Sequence, residues 1–194
     1  MANTSYHHGN LKQALIAAAR EQLAEQGVAS LNLRALARGL KVTHPAVYRH
    51  FKDKDALLEA VAEEGFVELT ERLQAASVAS PEDHARGLEH MATAYIGFAL
   101  DHPELLQLMF VLMPASERMQ NESLYAASKQ AYAVLLSSVA HTDTDPYISS
   151  AVVWALFHGL ATLTIDKQLE VLDDPDKRQT VLSQAAHVLA RGMF

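Results

Sequence analysis

Hydrogen-bonding and cationic side chains crowd one short stretch of this 194-residue chain: Thr43, His44, Tyr48, Arg49, His50 and Lys54, with Pro45 and Val47 among them. Thr43 is a helix-cap candidate, and Pro45 sits in a first turn, where a missing N–H costs little. The helix this predicts ends near Phe51. At about six residues it is too short to be stable alone. Val47 is its one inward residue, while Thr43, His44, Tyr48, Arg49 and His50 face outward. Such a helix must be held by its neighbours, so its polar face is there to be presented. A helix entering the DNA major groove needs this form. Small residues at its start permit close approach, hydrogen-bonding side chains reach base edges, and basic or hydroxyl groups lie at phosphate height. An ordinary helical hairpin with a solvated face would carry the same pattern.

Other chemistry finds little support. There is no cysteine, which excludes a disulfide framework, thiolate zinc sites and a cysteine nucleophile. His84 and His90 do not share a helix face, and neither they nor His7-His8 make a metal site. Nucleophile, base and orienter cannot be assembled from any residue set, so no catalytic residue and no cofactor is expected.

The net charge of −7 argues weakly against a nucleic-acid partner, but it is unevenly spread. Residues 1–54 hold eight Lys and Arg against three acidic residues, net +5, and the remainder holds eight against twenty, net −12. A basic head on an acidic body hints at polyanion binding by the head. Chance clustering on a solvated face is the plainer account. With 49% apolar and 20% charged residues the composition is that of an ordinary soluble protein. No uninterrupted apolar run approaches the roughly 18 residues of a membrane span. The first residues lack the basic-then-apolar layout of a signal peptide. A cytoplasmic protein with no membrane partner is the expectation.

The elements that must position the short helix read as helix throughout, and scarce Gly and Pro disfavour a turn-rich all-β fold. Asn10 caps a helix striped by Leu11, Leu15, Ala18/Ala19 and Leu23, which Gly27 ends. Asn32 caps a second, with Leu33, Leu36, Ala37 and Leu40 inward. Asp53 caps a long helix bearing Leu57, Leu58, Val61, Phe66, Leu69 and Leu73. Pro81 opens the next, with Leu88, Met91, Ala94/Tyr95 and Phe98 in register, and Asp101-His102-Pro103 breaks it. Helices over about Glu104–Leu112, Arg118–Ser138 and Tyr147–Lys167 follow, and a last one begins after Asp173-Asp174-Pro175.

The head resembles the TetR family of bacterial transcriptional regulators. The resemblance runs through Tyr6-His7-His8-Gly9-Asn10-Leu11, Ser30-Leu31-Asn32-Leu33-Arg34-Ala35-Leu36-Ala37, Val47-Tyr48-Arg49-His50-Phe51 and Lys52-Asp53-Lys54-Asp55-Ala56-Leu57-Leu58. It is dense over residues 6–66, and a hydroxyl residue, Tyr48, His50, Phe51 and Lys54 keep a specific spacing. It implies an all-α fold: a three-helix helix-turn-helix DNA-binding domain (1–54), joined by a long helix to a helical effector-binding and dimerisation bundle (55–194). It implies that Thr43, His44 and Pro45 face bases, and that Tyr48 and His50 bond phosphates or neighbouring bases. Lys54 would meet a phosphate beside its helix's N-terminal dipole. Arg34 would reach a base or phosphate, and Arg49 and Lys41 a phosphate or solvent. The family usually has Gly where Lys41 stands. Either Lys41 takes a positive φ, at about 1 kcal/mol, or Gly39 shifts the turn.

In the body, Trp154-Ala155-Leu156-Phe157-His158-Gly159 is similar to the Trp-x-x-x-His-Gly pattern of the WHG-type TetR C-terminal class. Ala151, Ala155 and Gly159 form a small-residue stripe, read as a helix–helix contact within the subunit or across a dimer. Val153, Leu156, Leu160, Leu163, Val181, Val188 and Leu189 lie on more than one face of the last two helices. That excess of apolar surface suggests a two-helix by two-helix subunit interface. A pocket among the fourth to eighth helices would draw on Met91, Tyr95, Phe98, Met109, Phe110, Met113 and Tyr125. Trp154 and His158, one turn apart, are either a hydrogen-bonded core pair or ligand contacts.

The expected function is a ligand-responsive DNA-binding regulator, most often a repressor in this family. It would bind a near-palindromic double-stranded operator as a homodimer and be released by a small apolar effector. The rivals are a helical enzyme, which no residue set supports, and an interaction adaptor of the same fold that has lost specific DNA binding.

Overall fold

The computed structural model describes residues 11–79, 83–112, 121–140 and 143–193. Among them are nine α-helices and no strand: α1 Leu11–Gln26, α2 Leu33–Gly39, α3 His44–Tyr48, α4 Lys54–Ser77, α5 His84–Asp101, α6 Pro103–Leu112, α7 Glu122–Ser138, α8 Pro146–Ile165 and α9 Pro175–Met193. The all-α expectation holds. Two 3-10 turns, Val28–Ser30 and Glu170–Leu172, were not foreseen; three-residue turns carry no periodicity to read.

Short polar side chains start these helices. Asn32 Oδ1 accepts from the Arg34 and Ala35 amides at 2.8 and 3.4 Å. Asp53 accepts from Ala56 N at 2.8 Å, Asp145 from Tyr147 N at 2.8 Å, and Asp174 from Asp176 N at 2.9 Å. Each satisfies an amide that the first turn leaves without a helical partner. Two expected starts need correction. Thr43 stands at the N-cap of α3, but its hydroxyl makes no cap bond. The fifth helix opens at His84, where Asp83 accepts from Arg86 N; Pro81, like Asn10, Met113 and Pro114, lies outside the described residues.

Two compact units divide the chain. The first takes α1 to α3, α4 through Gly65, α6 and the start of α7. Its core is Leu15, Ile16, Ala19, Leu23, Leu36, Ala37, Val47, Phe51, Leu57, Val61 and Met109. The second takes the rest of α4 and α7 with α5, α8 and α9. There α5 packs along both α8 and α9, burying Tyr95, Phe98, Phe157, Leu172 and Leu182.

Helix α8 is long and apolar enough to cross a membrane by length and composition, although Ser149, Ser150, His158 and Thr162 interrupt its apolar run. Its apolar residues fall on two opposite faces. Val153, Phe157 and Ala161 are buried. At 100° per residue, Ile148, Ala151, Val152, Ala155 and Gly159 lie on the other side; the first four are exposed and Gly159 is half-buried. Val153, expected on a free face, is fully buried because it shares the Phe157 stripe.

Candidate nucleic-acid interface

The turn that feeds α3 settles the question at Lys41. Val42 N donates to Ala37 O at 2.9 Å and Lys41 N to Arg38 O at 3.1 Å, the paired bonds of a Schellman motif. Lys41 is the residue that must turn left-handed, with φ 56°, while Gly39 stays inside α2. Lys41→Gly is therefore expected to stabilise the protein by up to about 1 kcal/mol, since only glycine adopts this conformation without a steric cost. A rise in the thermal midpoint checks it; a fall would mean that the lysine stem supplies more than the turn loses.

Helix α3 follows, five residues held by Val47 alone as a fully buried side chain. Thr43, Pro45, Tyr48, Arg49 and His50 are exposed. His44, expected to be exposed, is half-buried, on a helix that packs against α2. Arg34 is exposed on the first turn of α2, directly after the Asn32 cap. Hydroxyl, phenol, guanidinium and imidazole groups thus stand exposed on and beside one short helix.

Lys54 is half-buried, and its ammonium donates to Val28 O at 2.8 Å and to Ala29 O at 3.5 Å. The spacing of residues offered no signal for this contact, which spans 26 positions. The same turn is held from α1, where Gln22 Nε2 donates to Ser30 O at 2.8 Å.

The residues expected to line a pocket separate between the units. Met109, Phe110 and Tyr125 belong to the first, and Met91, Tyr95, Phe98, Trp154 and His158 to the second. Within the second, Tyr95 joins Trp154 to His158. Its phenol lies 3.1 Å from His158 Nδ1 and also hydrogen-bonds Trp154. An indole N–H only donates, so the phenol accepts from Trp154. Burial pushes the Tyr95 phenol well above, and the His158 imidazole below, their ordinary ranges. Tyr132 packs its ring against Trp154 in a tilted arrangement, with centroids 5.4 Å and planes 52° apart, and bonds Ser150 Oγ at 2.6 Å.

This has a pH consequence. The unfolded chain protonates His158 near the ordinary value of about 6.5, and the folded protein only at lower pH. The contribution is therefore complete above that value and is lost as pH falls through the interval. The thermal midpoint should fall less between pH 7 and 5 in His158→Gln than in the wild type. Equal falls would take His158 out of the acid response.

Two family models match the sequence. One, described as bacterial regulatory proteins of the tetR family, covers residues 15–61. The other, described as a tetracyclin repressor-like C-terminal domain, covers residues 88–186. A tetracycline repressor protein of class G from Vibrio anguillarum is 52% identical over 52 residues, which is 27% of this chain and 25% of that protein. The match thus spans about a quarter of that relative's length. A structure from Rhodococcus sp. RHA1, described as a protein with unknown function, is 32% identical with a TM-score of 0.85, over 98% of each chain. A TetR variant from Acinetobacter baumannii AYE, solved in complex with minocycline, is 26% identical with a TM-score of 0.59, over 93% of this chain and 94% of that one.

Proposed function

Because this chain belongs to the tetR family of bacterial regulatory proteins, and so is a DNA-binding transcriptional regulator, we propose that it is a dimeric repressor released from a near-palindromic operator by a small apolar effector. The observation that carries this reading is the exposed polar face of α3 on a helix that one buried valine anchors. Thr43, His44 and Pro45 read bases, Arg34 reaches a base or phosphate, Tyr48 and His50 bond phosphates or neighbouring bases, and Arg49 meets a phosphate.

The dimer reading rests on the apolar face that α8 leaves uncovered. Ile148 is 63% and Val152 45% exposed, beside Ala151 and Ala155, whose small side chains permit close approach of a second helix. Val188 on α9 is 72% exposed, and Leu189 is half-buried on the flank shared with Leu182 and Ala186. A second copy of this surface is its partner, so α8 acts as an interface helix of a cytoplasmic protein rather than a membrane span. Two heads then occupy successive major grooves. The effector lowers DNA affinity by as much as it prefers the other head spacing. Met91, Tyr95, Phe98, Trp154 and His158 supply an aromatic wall with one polar thread for it.

Fluorescence anisotropy on the chain's own upstream DNA against scrambled DNA, at one stated salt concentration, tests the reading. A preference of about a thousandfold supports it. Equal binding to both, or none, favours the adaptor reading, which the acidic total charge would suit.

A further inference from the structure

The four carbonyls of the turn that leads into α2 are served by groups from three directions. Ser30 Oγ donates to Gly27 O at 2.8 Å, within the turn. Gln22 Nε2 of α1 serves Ser30 O. Lys54 Nζ, at the first residue of α4, serves Val28 O and Ala29 O. A cation there sits at the unfavourable, positive end of its own helix dipole. The two carbonyls offset that placement. They also occupy two of the ammonium's three donors. The contact closes a loop: α2 and α3 lie between its two ends, Val28–Ala29 and Lys54.

We propose that Lys54 is a positioning residue whose ammonium ties the start of α4 to the turn before α2, and thereby fixes how the intervening α2 and α3 are presented. This rests on the reading of α3 as the DNA-contacting helix, and differs from a phosphate contact in what it predicts. A clamp works in the free protein. A phosphate contact works only on DNA, where removing it lowers the slope of log affinity against log salt by about 0.9.

The test is amide hydrogen exchange of the full-length, DNA-free protein. Lys54→Met keeps the apolar stem and removes the donor. It should speed exchange at Leu31, Leu36 and Leu40 by about tenfold, the factor carried by one charge-assisted hydrogen bond. Lys54→Arg, whose guanidinium can reach carbonyls, should restore protection to within about twofold of the wild type. Lys52→Met, an exposed neighbour, should change nothing. On DNA, Lys54→Met should lose affinity with its salt slope unchanged. Should Lys54→Met not fold, Lys54→Gln, which keeps a shorter donor, is measured instead and should show intermediate protection. Unchanged exchange in the Met variant, equal effects of Lys52→Met, or a salt slope lowered by about 0.9 would overturn the proposal. The exchange needs no DNA, so a failed clamp is distinguishable from a failed DNA reading, which shows as wild-type protein without sequence preference.

Discussion

Val47→Asp should abolish sequence-specific DNA binding and destabilise the head by at least about 3 kcal/mol if the aspartate stays inside. Helix α3 spans five residues, and Val47 is the only one of them fully buried. A helix of this length has no stability of its own. An unpaired carboxylate in that position costs several kcal/mol, more than one small apolar contact returns. Letting α3 go is therefore the cheaper response, and the loss is local. The second compact unit should melt where it does in the wild type, while the first loses α3 and its polar face together. Tyr48→Ala and Arg49→Ala make the contrast. Both side chains are exposed, so each should shift stability by no more than about 0.5 kcal/mol and still weaken DNA binding. Thermal unfolding read beside DNA anisotropy separates anchoring from contact. Specific binding by Val47→Asp would show that α3 is held by something other than Val47.

What the sequence disclosed and what it withheld follow from the range of the interactions. Stripes such as Leu57, Val61, Phe66, Leu69 and Leu73 are legible because burial on one helix face repeats with the helix period, and all five are buried. Caps such as Asn32 and Asp53 are legible because the bond is made two or three residues away. Thr43 shows the limit: the residue type marks the boundary, but the hydroxyl need not make the bond. The Lys41 turn was half legible, since composition offered two residues and only the backbone chose between them. The contacts that span the chain were not legible at all. Lys54 to Val28, Tyr95 to His158 and Tyr132 to Trp154 depend on where whole helices come to rest. The polar face of α3 was readable because exposure there is set by one neighbour, Val47; His44 departs from it because α3 rests against α2.

Gly65 and Met109 should behave as one unit when exchanged in size. A Cβ built on Gly65 would lie 2.6 Å from Met109 Sδ and 3.1 Å from Leu105 Cδ1, so α6 meets α4 where α4 has no side chain. Gly97 and Gly159, by contrast, have nothing within 4 Å of such an atom. Met109 is fully buried and Leu105 nearly so, which leaves neither an easy retreat. Gly65→Ala gains about 1 kcal/mol of helix propensity against an overpacking cost of about 1–3 kcal/mol, for a small net loss. Gly65→Val adds two more carbons to the same contact, and its cost should reach about 3 kcal/mol. Met109→Ala opens a cavity and should cost about 2–5 kcal/mol. The two faults are complementary in space: one variant lacks room where the other has a void. The double variant Gly65→Val/Met109→Ala should therefore be more stable than the sum of the single losses by at least about 1 kcal/mol. Urea unfolding at constant m-value measures this coupling. Strict additivity would mean that α6 moves away from α4 as a body instead of yielding at the side chains, so that the contact at Gly65 does not fix where the helix that follows α3 is held.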